Sequence, residues 1–92
     1  MRLLCVKTGD KVLRVRKEEF GCIIFDRNVY VEGNESVYMV LELLAEEKTP
    51  QEIIEILAER ENVPAEEMRE DVWSILKMFN ELGWFCEYEE GE

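Results

Sequence analysis

Hydrophobic and polar positions change period along this chain, and the change divides it into strands followed by helices. Leu3 to Val6 alternates weakly and suits a strand or an arm, and Thr8-Gly9-Asp10-Lys11 is turn chemistry. Val12-Leu13-Arg14-Val15-Arg16 alternates apolar with basic and predicts a strand. Its Arg14 and Arg16 point to water, either as a solvated strand face or as a small basic patch that docks a larger protein. Phe20 to Phe25 is a short apolar run rich in β-formers, Val29-Tyr30-Val31 is a second, and Asp26-Arg27-Asn28 between them is a turn. A three-residue loop with Asn28 left-handed would place Phe25 opposite Val29 and Ile23 opposite Val31. Those four side chains then share the buried face.

From Asn34 the period becomes helical. Asn34 is a good N-cap with Glu35 in the first turn, and the apolar face of Val37, Tyr38, Val40, Leu41, Leu43, Leu44 and Ala45 predicts a first helix from about 35 to 46. Thr49-Pro50-Gln51-Glu52 starts a second: Thr49 caps, Pro50 takes the first helical position and Glu52 completes a capping box. Ile53, Ile54, Ile56, Leu57 and Ala58 are its buried side, and Asn62 supplies a left-handed end. Pro64-Ala65-Glu66-Glu67 opens a third helix whose core stripe is Met68, Val72, Ile75, Leu76, Phe79 and Leu82, stopped by Gly83. Trp73 and Met78 fall on opposite flanks of that stripe, as secondary core or as the lining of a groove. Trp84 to Tyr88 is apolar enough to fold back, and the last residues form a loose acidic tail.

Short strands followed by three helices, the last two joined tightly, predict an α+β fold of the small winged helix-turn-helix kind: a three-stranded antiparallel sheet, then three helices. One domain is expected over residues 1–92, with its core at about 12–85 and an acidic tail at 86–92. Helical pattern begins directly after Val31, so the last strand keeps a free edge, and a free edge is a template for another chain.

Charge narrows the partners. The 92 residues carry a net −11, but residues 1–33 hold seven Lys/Arg against five Asp/Glu, whereas residues 34–92 hold four against seventeen. So acidic a surface repels a phosphate backbone, which disfavours nucleic acid and anionic membrane. The third helix, with Glu66, Glu67, Glu70, Asp71 and Glu81 against Arg69 and Lys77, is poorly suited to a major groove. Three Cys and no His leave no closed zinc set and no nucleophile–base constellation, so no catalytic residue, metal or cofactor is expected. The odd thiol count, no apolar run long enough for a membrane span and an opening too short for a signal peptide point to the cytoplasm. Asn34-Glu35-Ser36 fits a glycosylation sequon but is read as the helix cap.

Three stretches together resemble the family of pyrroloquinoline quinone biosynthesis protein D (PqqD), which recognises leader peptides of ribosomally made, modified peptides. The first is Val15, Arg16, Glu18, Phe20 and Gly21, similar to the start of recognition domains that serve radical SAM enzymes, including the mycofactocin B protein. The second is the hairpin running into Asn34-Glu35-Ser36, where the family usually shows Leu-Asn-Glu-Thr. The third is Thr49, Glu52, Ile53 and Ile54, followed by Asp71-Val72, Ile75, Leu76 and Leu82-Gly83-Trp84. Gly33 departs from the family's Leu, so the end of the last strand is expected to be looser or kinked.

The resemblance implies a non-catalytic peptide chaperone. A leader would add as an antiparallel strand beside the last strand, its apolar side chains entering a groove against the third helix. The pairing edge would be Asn28, Val29, Tyr30, Val31 and Glu32, and the helix contacts Arg69, Val72, Trp73 and Leu76, with Val72 and Leu76 equally readable as plain core. The implied partners are a precursor leader peptide and a radical SAM/SPASM maturase that brings its own cofactors, with the chain itself a monomer or weak homodimer. Alternatives are a peptidase or cyclase partner of the lasso-peptide kind and a winged-helix DNA-binding regulator.

Overall fold

The computed structural model describes residues 3–8 and 11–84. They form strands β1 (Leu3–Thr8), β2 (Lys11–Glu18), β3 (Gly21–Asp26) and β4 (Val29–Gly33), then helices α1 (Glu35–Ala45), α2 (Pro50–Glu61) and α3 (Ala65–Glu81). This is an α+β arrangement with one antiparallel sheet in the order β1-β2-β3-β4. The sheet has four strands where three were expected, because Leu3–Thr8 is a full strand paired to β2 from Leu3↔Arg16 to Thr8↔Lys11. Weak alternation was enough there, since Val6 and Thr8 turn inward and are buried. The chain divides into two compact units, Met1–Glu47 and Lys48–Glu92.

In the first unit the inward side chains of successive strands are in register: Val6 opposite Leu13, and Val15 opposite Ile24, all fully or almost fully buried. Helix α1 covers that face with Val37, Val40, Leu41 and Leu44. Its start is set by Asn34, in extended conformation, whose side chain accepts from the Val37 N–H at 2.9 Å.

The β3–β4 hairpin departs from the expected register. Asp26 pairs with Val29, Phe25 with Tyr30 and Ile24 with Val31, so the loop has two residues, and the left-handed one is Arg27 (φ 59°), not Asn28. Positive φ at the first central residue alone is the pattern of a type II′ turn, whose twist suits a tight hairpin. Shifting register by one residue exchanges faces. Cys22 and Ile24 therefore lie inside, while Ile23 and Phe25 lie outside and are half-buried. Phe20 is not in the strand; it stands 53% exposed in the β2–β3 turn.

Two glycines hold β3 and β4 together. A Cβ on Gly21, which has φ +147°, would stand 2.2 Å from the Gly33 carbonyl oxygen and 2.6 Å from the Asn34 Cα. The glycine of the Phe-Gly pair thus permits a backbone approach that no side chain could. At Gly33 a Cβ would meet Val37 Cγ1 at 2.7 Å and Cys22 Sγ at 3.2 Å. Gly33 remains in the strand, paired with Cys22, so the expected loosening does not occur. The space a leucine would need is taken by α1.

The second unit is α2 and α3. Thr49 accepts from the Glu52 N–H at 3.2 Å while the Glu52 carboxylate accepts from the Thr49 N–H at 2.9 Å, the reciprocal capping box. Helix α2 ends on left-handed Asn62, with Val63 N–H bonded to the Ala58 carbonyl. Helix α3 ends in the same motif on Gly83 (φ 86°): the Trp84 N–H reaches the Phe79 carbonyl at 2.8 Å, and the two rings pack with centroids 5.6 Å apart. Met68, Val72, Leu76 and Phe79 are buried as the stripe predicts, whereas Leu82 is 38% exposed because the chain has already left the helix. Of the segment expected to fold back, Trp84 is buried, and residues 85–92 lie outside the described residues.

Candidate functional site

Within the described residues β4 pairs with β3 alone, so its other side is an open edge. Partners in an antiparallel ladder alternate between pairs that exchange backbone bonds and pairs that do not. The tight turn closes at Asp26↔Val29, so bonded pairs recur at Ile24↔Val31 and Cys22↔Gly33. The N–H and C=O groups of Tyr30 and Glu32 consequently point away from the sheet. Asn28 stands in the turn rather than in the strand, so the edge proper is Val29–Gly33 and spans about 17 Å.

Side chains beside this edge are unusually open. Val29 is 62% and Tyr30 63% exposed, and Val31 is half-buried. Tyr30 leans on the outer sheet face with its ring 6.4 Å from that of Phe25. A peptide strand laid along β4 would place one row of side chains near Val29 and Val31 and the alternate row near Tyr30 and Glu32. The edge ends at the Asn34 cap, next to which Lys17 pairs with Glu35 at 3.2 Å and lies 4.7 Å from the Tyr38 ring centre. Burial pushes the Cys22 thiol above its ordinary range, partly countered by the Gly33 N–H, so it is an inert core group.

The four helix residues singled out in the sequence all lie on α3 in the second unit. Val72 and Leu76 are buried, and Arg69 and Trp73 are half-buried. The Trp73 indole N–H is itself shielded from solvent and has no acceptor among the described residues. That shielded donor is not foreshadowed by spacing, which places Trp73 only on a flank of the core stripe. Nor is the exposure of Phe20, because a turn residue next to an apolar run reads as part of that run. Among the described residues no group of His, Cys, Asp or Glu is arranged to hold a metal ion, and no helix is long and apolar enough to cross a membrane.

An open strand edge beside exposed apolar side chains belongs to the class of domains that can receive a peptide as an added strand. The fold is shared with a solved structure described as lasso peptide synthetase B1 complexed with the leader peptide: the TM-score is 0.71 at 15% identity, covering 85% of this chain and 93% of that one. The family model for coenzyme PQQ synthesis protein D (PqqD) matches residues 21–84, and the chain belongs to that family. No curated protein matches it.

Proposed function

We propose that this protein is a non-catalytic carrier that binds the leader of a ribosomally made precursor peptide by strand addition along β4 and presents it to a modifying enzyme. The observation that carries the reading is the outward row of backbone groups on Tyr30 and Glu32, with no strand beside it among the described residues. Membership of the PqqD family and the likeness to a protein solved with a leader peptide support the same occupant.

Four outward groups at about 1 kcal/mol each roughly cancel the ~2–5 kcal/mol spent in ordering a flexible peptide. Affinity is therefore set by side chains. Leader residues facing Val29 and Val31 should be apolar.

A radical SAM maturase is the enzyme we favour, from the Arg16, Glu18, Phe20 and Gly21 motif. A peptidase or cyclase of the lasso kind is the second reading, favoured by the lasso synthetase likeness. A winged helix-turn-helix form of the fold would not imply DNA here, because α3 is strongly acidic. We place the carrier in the cytoplasm, where a nascent precursor is available.

The test is titration of the full chain with the leader encoded by a short reading frame next to its gene, with amide hydrogen exchange as readout. Slowed exchange at Tyr30 and Glu32 is expected. Binding with no protection there would refute strand addition, and binding of duplex DNA that weakens steeply with salt would favour the regulator instead.

A further inference from the structure

The outer face of the sheet carries a second surface, separate from the β4 backbone edge. Leu3, Val12, Arg14, Phe25 and Arg27 line a half-open depression of about 450 Å³. Leu3 and Val12 are 46% and 53% exposed, large apolar side chains open to solvent. The cations of this unit fall into two groups. Lys11 is paired with Asp26 at 3.1 Å, Lys17 with Glu35, and Arg16 with Glu18 while its guanidinium lies 5.7 Å from the Phe25 ring centre. Arg14 and Arg27, which line the depression, make no ion pair among the described residues, and neither does Lys7, which is not part of its lining. They stand in a chain with twice as many acids as bases, in which the charge of residues 34–92 is overwhelmingly negative.

We propose that this face is a docking surface for an acidic segment of a protein partner, one that inserts a large apolar side chain against Leu3, Val12 and Phe25 and offers carboxylates to Arg14 and Arg27. Planar guanidinium groups suit carboxylates because they can bond them through two parallel N–H donors. An apolar anchor ringed by charge pairs is the usual anatomy of a small interface. The net charge of the chain opposes this only weakly, because at physiological salt charges more than about 8 Å away are largely screened and most of the excess acid lies in residues 34–92. The carrier reading supplies only the identity of the partner, the enzyme to which the leader is presented. The chemistry of the face stands without it.

The probe is a synthetic peptide of aspartates and glutamates around one tryptophan, titrated into the full-length, isotope-labelled protein and followed by amide shifts. Saturable shifts are expected at Val12, Arg14, Phe25 and Arg27, with Glu32 and Gly33 unmoved. Affinity should fall at least about tenfold in the Arg14→Glu/Arg27→Glu variant, for the peptide with its acids replaced by amides, and at about 0.5 M salt. Both arginines belong to the solvent-exposed surface, and unchanged shifts elsewhere in the variant establish that it is folded. Absence of saturable shifts on this face, or shifts that survive charge reversal, would overturn the proposal. So would movement of the same amides on diluting the free protein, which would assign the face to self-association. Loss of leader binding with acidic-peptide binding intact would sink the leader reading alone.

Discussion

Proline placed at adjacent positions of β4 separates the two sides of that strand. The ladder directs the Val31 N–H toward Ile24 and the Glu32 N–H outward. Val31→Pro removes a bond inside the sheet and leaves the Ile24 carbonyl without its donor, a loss of about 1–3 kcal/mol, and forces a ring into a paired position. The total is expected to be about 3 kcal/mol. Glu32→Pro deletes only a donor that faces solvent, in the place where edge strands tolerate proline, and should cost about 1 kcal/mol. At roughly 4–8 °C per kcal/mol for a chain of this size, Val31→Pro lowers Tm by about 12–24 °C or more and Glu32→Pro by less than about 8 °C. Leader binding should respond in the opposite sense: Glu32→Pro loses an intermolecular bond and blocks close approach, weakening affinity at least about tenfold, or ~1.4 kcal/mol. Thermal denaturation followed by circular dichroism and titration of the same samples give both numbers. A stable Val31→Pro beside an unfolded Glu32→Pro would reverse the assigned direction of the edge. Full affinity in a folded Glu32→Pro would remove β4 as the binding strand.

Gly21→Ala should be among the most damaging single substitutions, by about 3 kcal/mol or more in urea denaturation, because the new Cβ meets backbone atoms of Gly33 and Asn34 at a φ closed to side chains; a loss under about 1 kcal/mol would disprove that close approach. Thr49→Ala should lower stability by about 1 kcal/mol. It should raise the Glu52 carboxyl only slightly, since the Thr49 backbone N–H, the main group holding it low, is kept and only the smaller contribution of the hydroxyl is lost; carboxyl shifts against pH report this directly. The raised Cys22 thiol stays protonated in the folded chain while the unfolded one ionises near pH 9, so stability should fall as pH rises beyond that value. That slope should vanish in Cys22→Ala, and in single-thiol variants exposed Cys5 should react with a thiol reagent much faster than Cys22.

The helical half is legible in the sequence because its signals are local. Thr49, Pro50 and Glu52 specify a helix start within four residues, and Asn62 and Gly83 mark left-handed ends with few competitors. The hairpin register escapes the same reasoning for an equally local cause. Asp26-Arg27-Asn28 offers two loop lengths, and an asparagine is the better left-handed residue, yet the structure places Arg27 there. The decision is tertiary: the shorter loop sends Ile24 into the core opposite Val15 and brings Gly21 against Gly33, and that packing outweighs the turn preference. The open edge survives the change of register, because it depends on α1 succeeding β4 in the chain and not on which face of β4 is buried. Leu3–Thr8 is only half-visible for want of a strong pattern, and its pairing with β2 is what makes it a strand.

The order of the strands in space is their order in the chain. Every pairing therefore closes a short loop, and little chain entropy must be lost before neighbouring segments meet. Topologies of that kind assemble quickly, often in milliseconds or less, without waiting for distant parts of the polypeptide. The receptive border of this sheet is complete once Gly33 has joined Cys22, while nearly two thirds of the sequence still lies ahead.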